Sequence, residues 1–407
     1  MTQNALNRRI GPGLLTAYGV GVMVGAGIYV LVGAVAAQAG IYAPFAFLLA
    51  GLIAAPTALS YAEFSTRFPQ AAGEALYIAE GLETKALAMI VGVAIVLAGT
   101  ISAAAVLRGG AGYLQLVINT PTVGSIIVMG LVLTGVAIIG VLESLALAAV
   151  FTLVEIIGLV LVIWAGMQAP LSPDLIMIKT EGAGHSFLTP SVLGGIAAGA
   201  SLAFFAFIGF EDIVNMAEEV RDPSRTMPRA ILVSLLITAI LYGAVSLVAV
   251  RSVGLDQLAI SERPLALVWQ AGKGGDARFL SAIAVAAALN GVLAQIVMAA
   301  RVLFGLGNRY ASFALFSQAH SRFATPMLAT CLVGMAVVLA ALTLPVSALA
   351  GVTSTVLLGV FIFVNLALIR IKRRAPQAPF RVPMLVPVLG LILSMAALLA
   401  MVIPILF

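Results

Sequence analysis

Apolar positions in this chain run in long unbroken stretches rather than alternating, and the charged positions fall mainly between them. Read as helices, the stretches predict eleven spans, near 11–37, 43–66, 84–114, 122–140, 144–167, 190–218, 228–251, 278–308, 325–342, 346–369 and 383–405. About 20 apolar residues cross the hydrocarbon core of a bilayer as a helix. A membrane barrel would instead need alternating segments of about ten residues. The expected fold is therefore an all-α membrane protein with about eleven transmembrane helices in a single domain over 1–407. The longest outer connections, 168–189 and 252–277, leave no room for a soluble domain. The first span has the outline of a signal peptide, with Arg8-Arg9, an apolar run and Ala37-Gln38-Ala39. Signal cores run about 7–15 residues; this one extends from Gly11 to Ala37 and meets a second span at once, so it is expected to be a retained helix.

Composition agrees with a bilayer. Of 407 residues, 62% are hydrophobic and 9% charged, and the mean hydropathy is +1.17. A soluble domain carries about 25% charged residues. The lone Cys331 excludes a disulfide framework or a cysteine metal cluster. Two histidines, His185 and His320, leave little for a histidine metal site, and the His-Glu-x-x-His signature of a metalloprotease is absent. Neither an enzyme nor a cofactor is expected. The net charge of +5 is explained by topology rather than by nucleic acid. With the N-terminus in the cytoplasm and sides alternating, fifteen of the 21 Lys+Arg fall inside and six outside: Arg108, Lys179, Arg251, Arg263, Lys273 and Arg278. That skew is the positive-inside rule, and an odd number of helices places Phe407 outside.

Two spans carry residues at odds with an unbroken helix. The first contains Gly19, Gly21, Gly25 and Gly27 within eleven residues, Tyr18 to Ile28. Each glycine costs about 1 kcal/mol in a helix interior. Close packing through small residues would account for them; so would an unwound segment near Gly25–Gly27 whose amides face an anion at the start of a half-helix. The sixth span reads Phe204-Phe-Ala-Phe-Ile-Gly209-Phe-Glu211-Asp212. A glycine and two acids inside an apolar run predict a second interruption, with a half-helix starting at Glu211. The two acids either cap that half-helix or serve the site, and carbonyls left free before Gly209 would accept bonds from an ammonium. Paired breaks in two halves of a chain point to a transporter's binding site. They divide the chain into a first repeat over 11–167, a second over 190–369 and an extra helix over 383–405.

With these motifs the sequence resembles the amino acid–polyamine–organocation (APC) transporter superfamily over nearly its whole length. The matching residues are Gly25-Ala-Gly-Ile-Tyr29, Tyr61-Ala-Glu63 with Phe68-Pro69, Phe205-Ala-Phe-Ile-Gly-Phe-Glu211, Ala217-Glu-Glu219, Asp222-Pro223, and Arg225 through Pro228-Arg-Ala230. The resemblance implies a five-plus-five inverted repeat with discontinuous first and sixth helices and alternating access. It implies that a substrate carboxylate meets the amides of Gly25, Ala26 and Gly27, next to Ile28. It implies that the amino group meets carbonyls near Phe205, Ala206 and Ile208, with Phe207 and Gly209 in the same motif and an aromatic near Phe205 closing the pocket. Many relatives carry serine where Ala26 stands, and many carry a twelfth helix that this sequence does not show.

One carboxyl lies deep inside a predicted span: Glu155, within Val150-Phe-Thr-Leu-Val-Glu-Ile-Ile-Gly158. A charge at the bilayer centre costs a few kcal/mol even on lenient scales. The position suits either a packing hydrogen bond or a proton-coupling carboxyl. Several relatives place a lysine in this turn, where it stands in for sodium; here the residue is Glu. Sodium coupling is disfavoured because the middle of the eighth span, Ala286 to Ile296, has no Ser or Thr, although Asn290 and Gln295 carry oxygens. Glu211 is the second proton-coupling candidate, since relatives link an acid at this motif position to proton sensitivity. Ser102 on the third span and Thr353, Ser354 and Thr355 on the tenth are further polar candidates for the cavity, and Glu63 is assigned to a loop or gate network. The expected function is secondary active transport of amino acids, small or neutral, across a bacterial inner membrane, coupled to protons. An exchanger, or an antiporter of cationic amino acids or polyamines, is the alternative. The expected partners are the amino acid, the proton and the lipid bilayer, with no nucleic acid, and the expected state is a monomer or homodimer.

Overall fold

The computed structural model describes residues 10–69, 73–139, 145–181, 189–217, 219–320, 322–323 and 325–406. Arg8, Arg9, His185 and Glu218 lie outside the described residues, as does the side chain of Ala26. The chain folds into α1 (Pro12–Ala39), α2 (Ala43–Arg67), α3 (Gly73–Leu82), α4 (Lys85–Val117), α5 (Thr122–Ile139), α6 (Leu145–Gln168), α7 (Pro173–Glu181), α8 (Pro190–Ala203), α9 (Pro223–Ser252), α10 (Leu255–Ile260), α11 (Pro264–Lys273), α12 (Arg278–Arg309), α13 (Met327–Thr343), α14 (Val346–Arg374) and α15 (Leu385–Leu406). No strand occurs among the described residues, where an isolated bridge joins Ile10 to Val220. The protein is an all-α, multi-pass membrane protein.

Each of the eleven expected spans has a counterpart. Nine segments among the described residues are long and apolar enough to cross a membrane. The first and second spans join around a short turn at Gly40–Tyr42, so that Gly27–Arg67 counts as one segment of 41 residues, and the ninth, α13, is shorter at 17 residues. Several boundaries move, α14 running on to Arg374 and α4 to Val117 past the expected 369 and 114. α9 starts at Pro223, five residues before the expected 228, because proline suits the first helical turn, where its missing N–H is not needed. The sixth span narrows to α8 plus irregular chain, as described below. Proline also opens α1, α2, α8 and α11. Thr189 Oγ1 caps α8 by accepting the Val192 N–H at 3.4 Å.

The ends of α2, α12 and α14 and the start of α4 share one face, rich in arginine. Tyr310 donates to the Lys85 carbonyl at 3.0 Å, and Arg370 and Arg374 pair with Glu83. Glu63 is wholly buried at this face, as the sequence placed it, in a loop network. Its Oε1 accepts from Arg67 Nε at 3.0 Å and Nη2 at 2.6 Å. Its Oε2 accepts from Lys372 Nζ at 2.6 Å and from the Val382 N–H at 2.9 Å. Arg67 also donates to the carbonyls of Ala375 and Gln377. One carboxylate thus clamps α2, α14 and the segment leading into α15. Removing a single partner of a buried ion pair costs about 3–5 kcal/mol. Lys372→Met is therefore expected to lower the melting temperature of the detergent-purified protein clearly, and an unchanged melting temperature would show that the clamp adds no stability.

On the opposite face the connection between α9 and α12 lies across the bundle. The Leu258 carbonyl sits 2.2 Å from where a Gly33 Cβ would be, so only glycine lets α10 rest on α1. The Leu265 N–H donates to Tyr113 Oη at 3.3 Å, and Arg251 donates to the carbonyls of Gly166 and Ala169 at the end of α6.

Candidate functional site

Both expected interruptions are present. In α1 the backbone leaves helical geometry at Gly25 (φ −9°, ψ −163°), and a Cβ there would meet nothing within 4 Å. This break is one residue wide, narrower than the expected Gly25–Gly27 stretch, and Gly27 already belongs to the following segment. The second break is wider. α8 ends at Ala203, a 3-10 turn covers Phe204–Phe207, Ile208 is extended, and a second 3-10 turn covers Asp212–Met216. No α-helix starts at Glu211. Its Oε2 instead reaches back to accept the Gly209 N–H at 2.9 Å, holding the bend in place.

The two breaks interlock. Gly209 has φ +123°, a conformation that L side chains rarely adopt, and its hydrogen faces Val22, one turn before Gly25. Gly27 in turn packs on Ala206, whose Cα lies 3.3 Å from where a Gly27 Cβ would be. Tyr242 of α9 bridges the pair: its hydroxyl lies 2.5 Å from the Met23 carbonyl and 2.9 Å from the Ala206 carbonyl. Each carbonyl lies at an interrupted helix, and the one tyrosine proton is shared between them. The sequence reading missed Tyr242. A fully buried tyrosine inside a span must find a partner for its hydroxyl, and that was the available signal. Tyr242→Phe leaves both carbonyls without that donor, a loss of about 1–3 kcal/mol. The expected outcome is substrate binding about tenfold weaker in a ligand titration; unchanged affinity would separate Tyr242 from the site.

A cavity of about 770 Å3 runs from Ile208 and Glu211 of the second break, and from the turn of α1 before Gly25, to the arginine-rich face, where Arg301, Arg309, Tyr310 and Thr325 line it; Gly25, Gly27, Ile28 and Gly209 are not on its wall. Its wall includes Val22, Ser102, Ile208, Glu211, Asp212, Asn290 and Gln295, which the sequence singled out or placed beside a singled-out residue, and also Glu74. Phe205, Ala206 and Phe207 are buried beside it. Two of the three carbonyls expected to receive an ammonium are engaged: Phe205 O accepts from the Ile208 N–H at 3.2 Å and Ala206 O from Tyr242. No bond to the Ile208 carbonyl is formed among the described residues. Asp212 Oδ2 accepts from Gln295 Nε2 of α12 at 3.3 Å. Thr353, Ser354 and Thr355 do not reach the cavity. Thr353 and Thr355 donate to Leu349 and Gly351 of their own helix, and α14 turns Leu357 to the cavity instead.

Glu155 stands behind the α1 break rather than on the cavity wall, 2% exposed. Among the described residues neither of its carboxyl oxygens has a hydrogen-bond partner. Tyr29 Oη points at its backbone carbonyl at 3.4 Å. Tyr113 holds this half of α1 by donating to the Tyr29 carbonyl at 2.8 Å. Among the described residues no cluster of three acids, histidines or cysteines fit for a metal ion occurs.

Two interlocked broken helices beside a cavity that reaches one face of the bundle define a membrane-carrier architecture. The comparisons make the class specific. The model of the amino acid permease family matches residues 14–406, and the chain belongs to that family. It is 30% identical over 393 residues to a mitochondrial cationic amino acid transporter 3 of Arabidopsis thaliana, covering 91% of this chain and 63% of the relative. It is 27% identical to the branched-chain amino acid permease BcaP of Bacillus subtilis, covering 93% of this chain and 83% of that one. It is 29% identical to a methylthioribose transporter of the same bacterium, covering 93% and 84%. The chain thus spans less than two thirds of the length of the plant transporter.

Proposed function

We propose that the chain is a secondary active transporter of amino acids, with small or neutral L-amino acids as substrates, coupled to protons through Glu155 and Glu211. The observation that carries this reading is the interlock of the Gly25 and Gly209 breaks, with the Ile208 carbonyl unbonded among the described residues beside the cavity. Amides of Gly25, Ala26 and Gly27, with Ile28 following, would receive the carboxylate at the start of a half-helix, where the backbone dipole favours an anion. The Ile208 carbonyl would receive the ammonium. Ser102 and Asn290 on the cavity wall would meet the substrate's remaining atoms. In this reading the arginine-rich face and the N-terminus are cytoplasmic, the membrane is a bacterial inner membrane, the chain works as a monomer or homodimer, and the two repeats over 11–167 and 190–369 rock about the breaks.

A second reading, transport of cationic amino acids or polyamines by exchange, is favoured by Glu74, Glu211 and Asp212 on one cavity wall and by the name of the plant relative. Uptake of labelled leucine, alanine, lysine and putrescine into proteoliposomes, with and without a pH gradient, separates the two. Neutral amino acids accumulating with the gradient are expected. Accumulation of lysine or putrescine alone would favour the second reading, and uptake indifferent to the gradient would remove proton coupling.

A further inference from the structure

Glu74 lies in the first turn of α3, between the second and third spans, and it is 7% exposed on the cavity wall. Tyr61 of α2 donates to its Oε1 at 3.2 Å. The Tyr61 ring meets Phe210 edge-on with centroids 5.7 Å apart, Tyr77 at 6.0 Å and Phe361 at 5.6 Å. Phe210 is the residue before Glu211 in the second break. One hydroxyl and one ring therefore connect Glu74 to the bend that Glu211 holds.

The groups facing Glu74 are few. They are Tyr61 from α2, Tyr77 from its own helix, with a buried hydroxyl that has no partner among the described residues, and Glu211 and Asp212 from the break. α4 presents Gly92, Ile95, Ala98, Gly99 and Ser102 to the same cavity, none of them charged. On α14, Arg370 is spent on the Leu82 carbonyl and Glu83 at the far end of α3. Glu219, Arg301 and Arg309 complete the charged wall toward the face. Three carboxyls on one wall repel one another when ionised. Of the three, Glu74 sits on the connecting helix rather than within a span. Burial pushes its carboxyl above the ordinary range. An acid shifted in that direction holds its proton, and keeps its seat firm, at low pH, and both are lost as pH rises through the folded-state value.

We propose that Glu74 is the inner proton station of the transport cycle: it accepts the proton that Glu211 gives up while the cavity faces the arginine-rich side, and hands it to the solution there. The step breaks one carboxyl O–H bond and forms another, with no change of oxidation state. It rests on the proton-linked reading above.

The test is made in proteoliposomes with labelled leucine and lysine, reading net uptake driven by a pH gradient and, separately, exchange at equal pH. Glu74→Gln is expected to lower gradient-driven uptake about tenfold or more while leaving exchange within about twofold. Glu74→Asp is expected to restore net uptake with a displaced pH profile. Tyr61→Phe removes a donor to the charged carboxylate and should move the profile to higher pH; this variant decides if Glu74→Gln does not fold. A Glu74→Gln protein that slows both processes alike, or keeps the wild-type profile, overturns the proposal, as does an unmoved profile in Tyr61→Phe. Wild-type uptake that ignores pH would instead remove the proton-linked reading, and absent exchange of both substrates the transport reading; the proposal falls with either.

Discussion

Gly209→Ala is expected to abolish transport. The residue has φ +123°, and holding an L side chain in such a conformation costs about 1–3 kcal/mol. The larger obstacle is space. A Cβ at this position would lie 2.7 Å from Val22 Cγ1 and 3.1 and 3.2 Å from the Val22 carbonyl carbon and oxygen. A rotamer change can move the methyl but not the backbone, so the second break must back away from the first. That movement pulls the Ala206 carbonyl from Tyr242 and opens the Gly27–Ala206 contact, the two features that hold the breaks together. Proteoliposome uptake and the melting temperature check it side by side. A Gly209→Ala protein that folds and transports at about the wild-type rate would mean that the interlock has no part in the cycle.

The second large effect is expected at Glu155. Gln has nearly the same shape, and since neither carboxyl oxygen has a partner among the described residues, the exchange breaks no hydrogen bond there. What it removes is the capacity to carry a proton or a charge. A charged carboxylate in this setting, without a compensating bond, would cost several kcal/mol; in the proposed cycle its charge state is tied to events at the neighbouring break. Glu155→Gln is therefore expected to keep substrate affinity within about twofold at fixed pH and to lose accumulation driven by a pH gradient, by about tenfold or more. Uptake measured against a series of gradients reads this out. Wild-type pH dependence in the variant would make Glu155 a packing residue.

The architecture was legible because the bilayer imposes its length on each span, and glycines or acids inside a span are too costly to be accidental. Gly25, Gly209 and Glu211 could be picked out for that reason. The width of each break was not legible. Glycines announce where a helix can fail, but whether it resumes at once, as after Gly25, or only through 3-10 turns, as after Phe204, depends on packing against other helices. Thr353, Ser354 and Thr355 were misplaced because sequence does not give the rotation of α14, which shows Leu357 to the cavity. Tyr242 and Glu74 escaped for opposite reasons. Tyr242 looks like one more aromatic in an apolar run until its hydroxyl is seen between Met23 and Ala206. Glu74 sits in a short polar connection where an acid is unremarkable, and only the fold turns it inward.

The central claim is that the backbone at two breaks grips both ends of a zwitterion, and modified ligands test it most directly. Ligands stabilise the state that binds them, so melting temperatures of the purified protein against the twenty amino acids will identify those that bind. Each of these is then titrated beside its methyl ester and its N-acetyl derivative. Loss of either charge is expected to weaken binding by about two orders of magnitude, since each strips a charge-assisted contact worth about 1.5–3 kcal/mol. Esters and N-acetyl derivatives binding as tightly as the parent amino acids would contradict the account.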